Sequence, residues 1–390
     1  MAEDAAAPVH PLPPPALTCP PAAGFVNLGN TCFANTVLQC LVHTLPLSQY
    51  ILSKGYERDA HAKARVLADA KKAKRPPLLG TMCVPFLTEY YKLLFVLWSQ
   101  RPASITPKSL MVTGMRESMI RKRKSPGAPI FLMGRQHDMA EYLQFVLDLM
   151  HETTGVPVEM HVHGEAKSRR DQMMVDSYAH FRQHFAKEHS VVIDLFAGQY
   201  YVQIQTCDNK MPQDHSESYD PFLTLTLALP IGVKACTLYD CLGLMREPEI
   251  IDGWKGERSD APRMIEKRTY IWTPPKVLVI HLKRFVNRHI KNGCAVAIAP
   301  TLDLTDYCMG LEGPVHYHLY AVGNHEGTLD FGHYYADCKA KTGEWRRFND
   351  ASVTALTVDQ LNPQSCYVLF YHRVPNVVAN GEAAAVGGRR

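Results

Sequence analysis

Two periods divide the chain. Through the first half, apolar residues recur at the three- and four-residue spacing of a helical face; from about Val191 they alternate. The clearest helical face is in residues 135–152, where Met139, Tyr142, Leu143, Val146, Leu147 and Met150 share one side. Asp138, with Glu141 three residues on, reads as the N-cap and capping-box acid of that helix. Val37, Leu38, Leu41, Val42 and Leu45 predict a second helix. Residues 60–74 are rich in Ala, Lys and Arg and favour a third. Residues 84–98, apolar and aromatic, are expected to pack inside, and residues 121–127 to form an exposed loop. Residues 153–190 are polar and read as an insertion, helical in part over 173–188.

In the second half, residues 200–205 and 222–229 alternate as half-buried strands. The run Val277-Leu278-Val279-Ile280 reads as a fully buried strand. Residues 317–322, 333–339, 345–348 and 366–372 complete a β-rich half. Helices first and strands later predict an α+β protein of two lobes with a cleft between them. Residues 1–22 carry seven prolines and read as a disordered tail, as do the Ala- and Gly-rich residues 375–390.

Composition narrows the function classes. A net charge of +4 over 390 residues does not argue for nucleic acid, and the short basic clusters at 71–75 and 121–124 read as solvated faces. No apolar run has the length of a membrane span, and residues 1–21 lack the features of a signal peptide. Eleven cysteines, an odd number, fit reduced thiols in the cytoplasm or the nucleus.

One cysteine stands apart. Cys32 lies where a turn rich in Gly and Asn, residues 24–31, becomes the second predicted helix. With Thr31 as N-cap, Cys32 is in the first helical turn, where the dipole and the open N–H groups favour the thiolate. A thiol nucleophile needs a base, and the base an orienting group. Eighteen histidines compete, of which His316, His318 and His325 read as structural. His333 is set in Phe331-Gly332-His333-Tyr334-Tyr335, where glycine permits close approach, and a hairpin follows it. Its return strand can bring Asn349 or Asp350 to the far ring nitrogen.

These stretches, with the run Val277-Leu278-Val279-Ile280-His281-Leu282-Lys283-Arg284-Phe285, resemble in order the four signature boxes of ubiquitin-specific proteases. Asn27-Leu28-Gly29-Asn30-Thr31-Cys32 is the most specific of them, and the resemblance covers roughly residues 24–373. It implies a papain-like cysteine protease fold over 23–374. A helical thumb would span about 23–190, and β fingers and a β-rich palm about 191–374, with the catalytic cleft between thumb and palm. It further implies Cys32 as nucleophile, His333 as general base, Asn349 as its partner, Asp350 as an assisting residue and Asn27 as oxyanion donor. Gln136, Asp138, Glu141, Gly332 and Tyr334 match a channel for the C-terminal tail of ubiquitin. The implied activity is hydrolysis after the Gly-Gly terminus of ubiquitin by a monomer whose partners are ubiquitin and ubiquitinated proteins. The alternatives are a catalytically weak ubiquitin-binding scaffold and a protease for another ubiquitin-like modifier.

The chain departs from the family at the fingers, where most members bind a structural zinc through two Cys-x-x-Cys pairs. Only Cys207 remains of the first pair, with Lys210 in its partner's place, and residues 257–264 hold no cysteine. Tetrahedral zinc needs four ligands, so no metal or other cofactor is expected.

Overall fold

All eleven residues of helix α1 (Cys32–Val42) are buried. The protein is described by a computed structural model over residues 22–72, 84–207, 215–256, 259–285, 290–328 and 331–375. The apolar stripe of α1 accounts for one face only. One side packs on α6 (Met139–Thr154); the other packs on strands β12 (His316–Gly327), β13 (Gly332–Lys339) and β14 (Trp345–Asn349). Its polar side chains survive inside because backbone carbonyls receive them. Gln39 Nε2 donates to the Ala23 carbonyl at 2.8 Å, and Asn35 Nδ2 to that of Phe25 at 3.2 Å.

The helical half also contains α2 (Leu45–Leu52), α3 (Gly55–Lys72), α4 (Val84–Gln100), α5 (Lys108–Lys124), α7 (Arg169–Phe185) and α8 (Val191–Phe196). Two of these differ from the sequence expectation. The cations 121–124 form the last turn of α5 rather than a loop, at the negative end of the helix dipole. There Arg121 pairs with Glu152 at 2.9 Å and lies over the Phe145 ring. Residues 153–190 are helical in part, as expected: α7 opens on a capping box of Ser168 and Asp171, and Met173 packs on Tyr201, Tyr219 and Trp272. The mostly apolar run at 191–196 is helical, capped by Ser190; six residues are too few for a period that separates strand from helix.

The strands form two principal sheets. The smaller is antiparallel, in the order β4 (Ser216–Phe222), β3 (Gly198–Thr206), β8 (Ser259–Thr273), β7 (Glu249–Gly256). The larger runs β15 (Ser352–Leu356), β14, β13, β12, β16 (Cys366–Arg373), β9 (Val277–Lys283), β5 (Leu225–Ala228), with β11 (Thr301–Asp303) also on β12. The alternating run 222–229 is therefore two strands: Phe222 pairs with Gly198 in one sheet, and Leu225 with Ile280 in the other. One face of the large sheet packs on α1; a second apolar core, with α9 (Leu238–Arg246), covers the other. Two parallel pairs complete the structure, β1 (Gly24–Phe25) with β2 (Ser104–Ile105) and β6 (Ala235–Thr237) with β10 (Ala295–Ala297).

Just beyond β9, Arg284 is fully buried. Its guanidinium donates to the carbonyls of Cys366 (2.6 Å), Cys294 (2.7 Å), Pro363 (2.9 Å) and Asn292 (3.2 Å), so the buried cation is met by four carbonyl dipoles. No helix among the described residues is long and apolar enough to cross a membrane. The two predicted tails lie outside the described residues, apart from Ala22 and Pro375.

Candidate active site

The turn before Cys32 is built from residues that accept a left-handed backbone. Gly29 and Asn30 have φ of 95° and 52°. The reversal lets the Asn27 side chain fold over its own turn: Oδ1 accepts from the Gly29 N–H at 2.9 Å, the Thr31 N–H at 3.1 Å and the Thr31 hydroxyl at 3.2 Å. Thr31 thus precedes the helix as expected, but its hydroxyl makes no cap bond to α1 and serves Asn27 instead. The loop before α6 grips the turn from outside, since Gly134 N–H donates to the Gly29 carbonyl at 2.8 Å and Asn30 Nδ2 to the Gly134 carbonyl at 3.0 Å.

His333 is the second residue of β13, and Ala336 is paired with Phe348 across the hairpin. That register carries Asn349 back to the histidine, and its Oδ1 lies 2.7 Å from His333 Nε2. A carboxamide oxygen only accepts, so Nε2 carries the proton and Nδ1 is left for Cys32. The Cys32 thiol beside the ring, and next Asn349, hold the His333 proton up to about 9 against the opposing effect of burial. The His333 ring is thus protonated at neutral pH beside the Cys32 sulfur.

Of the two residues that could orient His333, the structure selects Asn349. Asp350, with φ of 50°, turns the other way. Its Oδ2 accepts from Asn27 Nδ2 at 2.9 Å and its Oδ1 from Asn35 Nδ2 at 2.8 Å. One hydrogen of the Asn27 amide is thereby fixed, leaving the other to be donated. Asn35 was not singled out from sequence; the available signal was an amide side chain in the first turn of a helix otherwise lined with apolar residues.

The remaining site residues gather where α6 meets β13. Gln136 Nε2 donates to the Gly332 carbonyl at 3.0 Å, and its Oε1 is buried without a hydrogen bond. Asp138 does two things: Oδ1 caps α6 by accepting from the Glu141 N–H at 2.9 Å, and Oδ2 accepts from the Tyr367 hydroxyl at 2.6 Å. Burial, then Asp138, raises the Glu141 carboxyl above its ordinary value. Tyr334 is buried, its ring 4.5 Å from that of His325. Tyr367 and His281 join this group unforeseen, His281 with its ring edge-on to Tyr367 at 4.9 Å.

The donor set does not fit the family's zinc. Cys207 is exposed at the end of β3, and Lys210 lies outside the described residues, as do residues 257 and 258. Cys236 and Cys241 cluster instead with Cys294, at Sγ separations of 3.9 and 3.4 Å from Cys236.

A thiol at a helix N-terminus, an imidazole on a facing hairpin and a carboxamide behind it are the groups of a papain-like cysteine protease, here on a matching α+β fold. The family model of the ubiquitin carboxyl-terminal hydrolases matches residues 23–371, and the chain belongs to that family. It is 32% identical over 367 residues to ubiquitin carboxyl-terminal hydrolase 2 of Gallus gallus, covering 89% of this chain and 92% of that one. The Homo sapiens protein of the same name is 32% identical over 361 residues, covering 90% of this chain and 54% of its own length. The chain thus spans about half the length of several curated relatives. Among solved structures, the SAGA DUB module of Ubp8, Sgf11, Sus1 and Sgf73 bound to ubiquitin aldehyde matches with a TM-score of 0.64 at 21% identity. That match covers 93% of this chain and 71% of the other, and bears on the fold alone.

Proposed function

We propose that the protein is a deubiquitinating thiol protease that hydrolyses the peptide or isopeptide bond after the C-terminal Gly-Gly of ubiquitin. The observation that carries this is the Asn349–His333 pair beside Cys32, with Asn27 oriented by Asp350 at the start of the same helix. The Cys32 thiolate attacks the carbonyl of the last glycine. Asn27 Nδ2 and backbone N–H groups near Cys32 hold the oxyanion, an effect of about 3–4 kcal/mol for one donor. The carbon–nitrogen bond breaks as the His333 imidazolium gives its proton to the leaving amine. Water, losing a proton to His333, then hydrolyses the thioester and frees the Cys32 sulfur. Gln136, Asp138, Glu141, Gly332 and the buried Tyr334 form the channel for the basic tail that precedes the Gly-Gly.

The partners of this reading are ubiquitin and ubiquitinated proteins, met by a monomer in the cytoplasm or nucleus. The nine described cysteines are free thiols, which supports a reducing compartment. Within the family, the missing zinc cysteines support a likeness to ubiquitin-specific protease 10, and elemental analysis showing one zinc per chain would count against it. The decisive experiment is labelling with ubiquitin bearing a C-terminal electrophile. Labelling abolished by Cys32→Ala is expected. Ubiquitin binding without labelling favours a scaffold, and preferential labelling by another modifier's probe reassigns the substrate.

A further inference from the structure

Lys291 is the first lysine after β9, opposite Phe285 in an isolated bridge. Its Nζ lies 2.9 Å from His325 Nδ1 and donates to the His325 carbonyl at 2.8 Å. Burial, then Arg284, lowers this amine to about 8, while burial, then Lys291, lowers His325 to about 3. The imidazole is therefore neutral: Nδ1 accepts from the ammonium, and the ring proton is on Nε2.

Nε2 faces the turn that delivers the reacting histidine. His325 is opposite Tyr334 in the β12–β13 ladder, Glu326 opposite His333, and Gly327 opposite Gly332. The ring is pressed so closely on Gly332 that a Cβ there would lie 2.1 Å from Nε2 and 2.5 Å from the Thr328 carbonyl. Tyr334 backs the ring at 4.5 Å and Phe285 meets it edge-on at 5.3 Å. Gly332 is gripped from the other side as well, by Gln136 on its carbonyl.

We propose that Lys291 is a positioning residue for catalysis, holding the His325 ring as a wedge beneath Gly332 so that the next residue, His333, faces Cys32. This rests on the reading of Cys32 and His333 as the reacting pair. Neither Lys291 nor His325 touches substrate; both act through the backbone of the turn. Lysine suits the task because one ammonium on a flexible stem serves two acceptors, His325 Nδ1 and the His325 carbonyl, with Arg284 and Glu326 the charges facing it.

The test is the pH dependence of Cys32 alkylation by iodoacetamide, read on the full chain by mass spectrometry of the Cys32 peptide, with thermal melting in parallel. Wild type should react near pH 6 well ahead of an ordinary thiol. Lys291→Met should lose that advantage by about tenfold or more. On a fluorogenic ubiquitin substrate kcat should fall by about 10- to 100-fold with KM little changed, and Lys291→Arg should restore part of both. His325→Gln should reproduce the shift, and the double variant should be no worse than either single one. A Lys291→Met profile that overlays wild type, whatever the melting temperature, overturns the proposal; if that variant does not fold, an unchanged His325→Gln profile does so. An ordinary profile in wild type defeats the reacting-pair reading itself, and the wedge with it. Loss of the enhanced Cys32 reactivity in Lys291→Met, in a chain that ignores ubiquitin, sustains the wedge while rejecting the substrate.

Discussion

Asp350 Oδ2 accepts a hydrogen bond from Asn27 Nδ2 at 2.9 Å, across 323 residues of sequence. The bond joins the residue after His333's partner to the side chain proposed to hold the oxyanion. A carboxylate beside a catalytic histidine is ordinarily read as acting on the ring; here it acts on the amide. Asn27→Ala should lower kcat by about 100- to 1,000-fold, and Asp350→Ala by less, about 10- to 100-fold, since it misplaces the donor without removing it. The double variant should match Asn27→Ala. Steady-state rates on a fluorogenic ubiquitin substrate decide this, and additive losses would place Asp350 on a separate path.

The pH dependence follows from His333. Its folded value is raised, so the imidazolium is populated below about 9 and lost as pH climbs through that value. With the leaving amine protonated by that imidazolium, kcat/KM should fall along a limb near pH 9. Asn349 is one cause of the raised value, so Asn349→Ala should move the limb to lower pH as well as slow the reaction. A limb that stays in place in the variant would contradict the Nε2–Asn349 assignment.

Asp138 combines two roles that a pair of substitutions separates. As N-cap it contributes about 1 kcal/mol to α6; as a carboxylate bonded to Tyr367 it would place negative charge in the proposed channel. Asp138→Asn keeps a capping oxygen and removes the charge, so the melting temperature should hold while KM for ubiquitin substrates rises. Asp138→Ala should lower the melting temperature and raise KM together. Equal KM for wild type and Asp138→Asn would confine Asp138 to capping.

How much of this was legible beforehand depended on whether the signal was local. The helix at 139–154 and its Asp138 cap were plain, because period and cap chemistry lie within one window. The 222–229 run was misread as one strand: alternation is a local property, whereas the move from one sheet to another at Leu223 is decided by distant partners. The same holds at the site. Cys32 and His333 stood out through their own neighbours. The choice between Asn349 and Asp350 depended on the left-handed φ at 350 and on Asn27 and Asn35, more than 300 residues away. His325 read as structural, and its part in the turn emerged only with Lys291 and Gly332 in place.

Acid should loosen the seat of the catalytic helix. His43 caps α1, buried, with Nδ1 donating to the Gln39 carbonyl at 2.8 Å, and burial lowers it to about 4. A depressed base is most stabilising in its neutral form, so its contribution is complete above about 6.5 and is lost as pH falls toward 4. The span corresponds to about 3 kcal/mol. Denaturant unfolding of wild type and His43→Gln across pH 4–7 should converge toward the acid end, and parallel curves would refute the assignment.

The two residues of β1 deserve a consequence of their own. Phe25 N–H donates to the Asp350 carbonyl at 2.8 Å, its carbonyl receives Asn35, and Gly24 lies so close to residues 350 and 351 that a Cβ would stand 2.5 Å from the Ala351 carbonyl carbon. This strand is a strap across the turn between β14 and β15. A protease that cut between Phe25 and Asn27 would spare Cys32, His333 and Asn349, yet release the loop that aligns them.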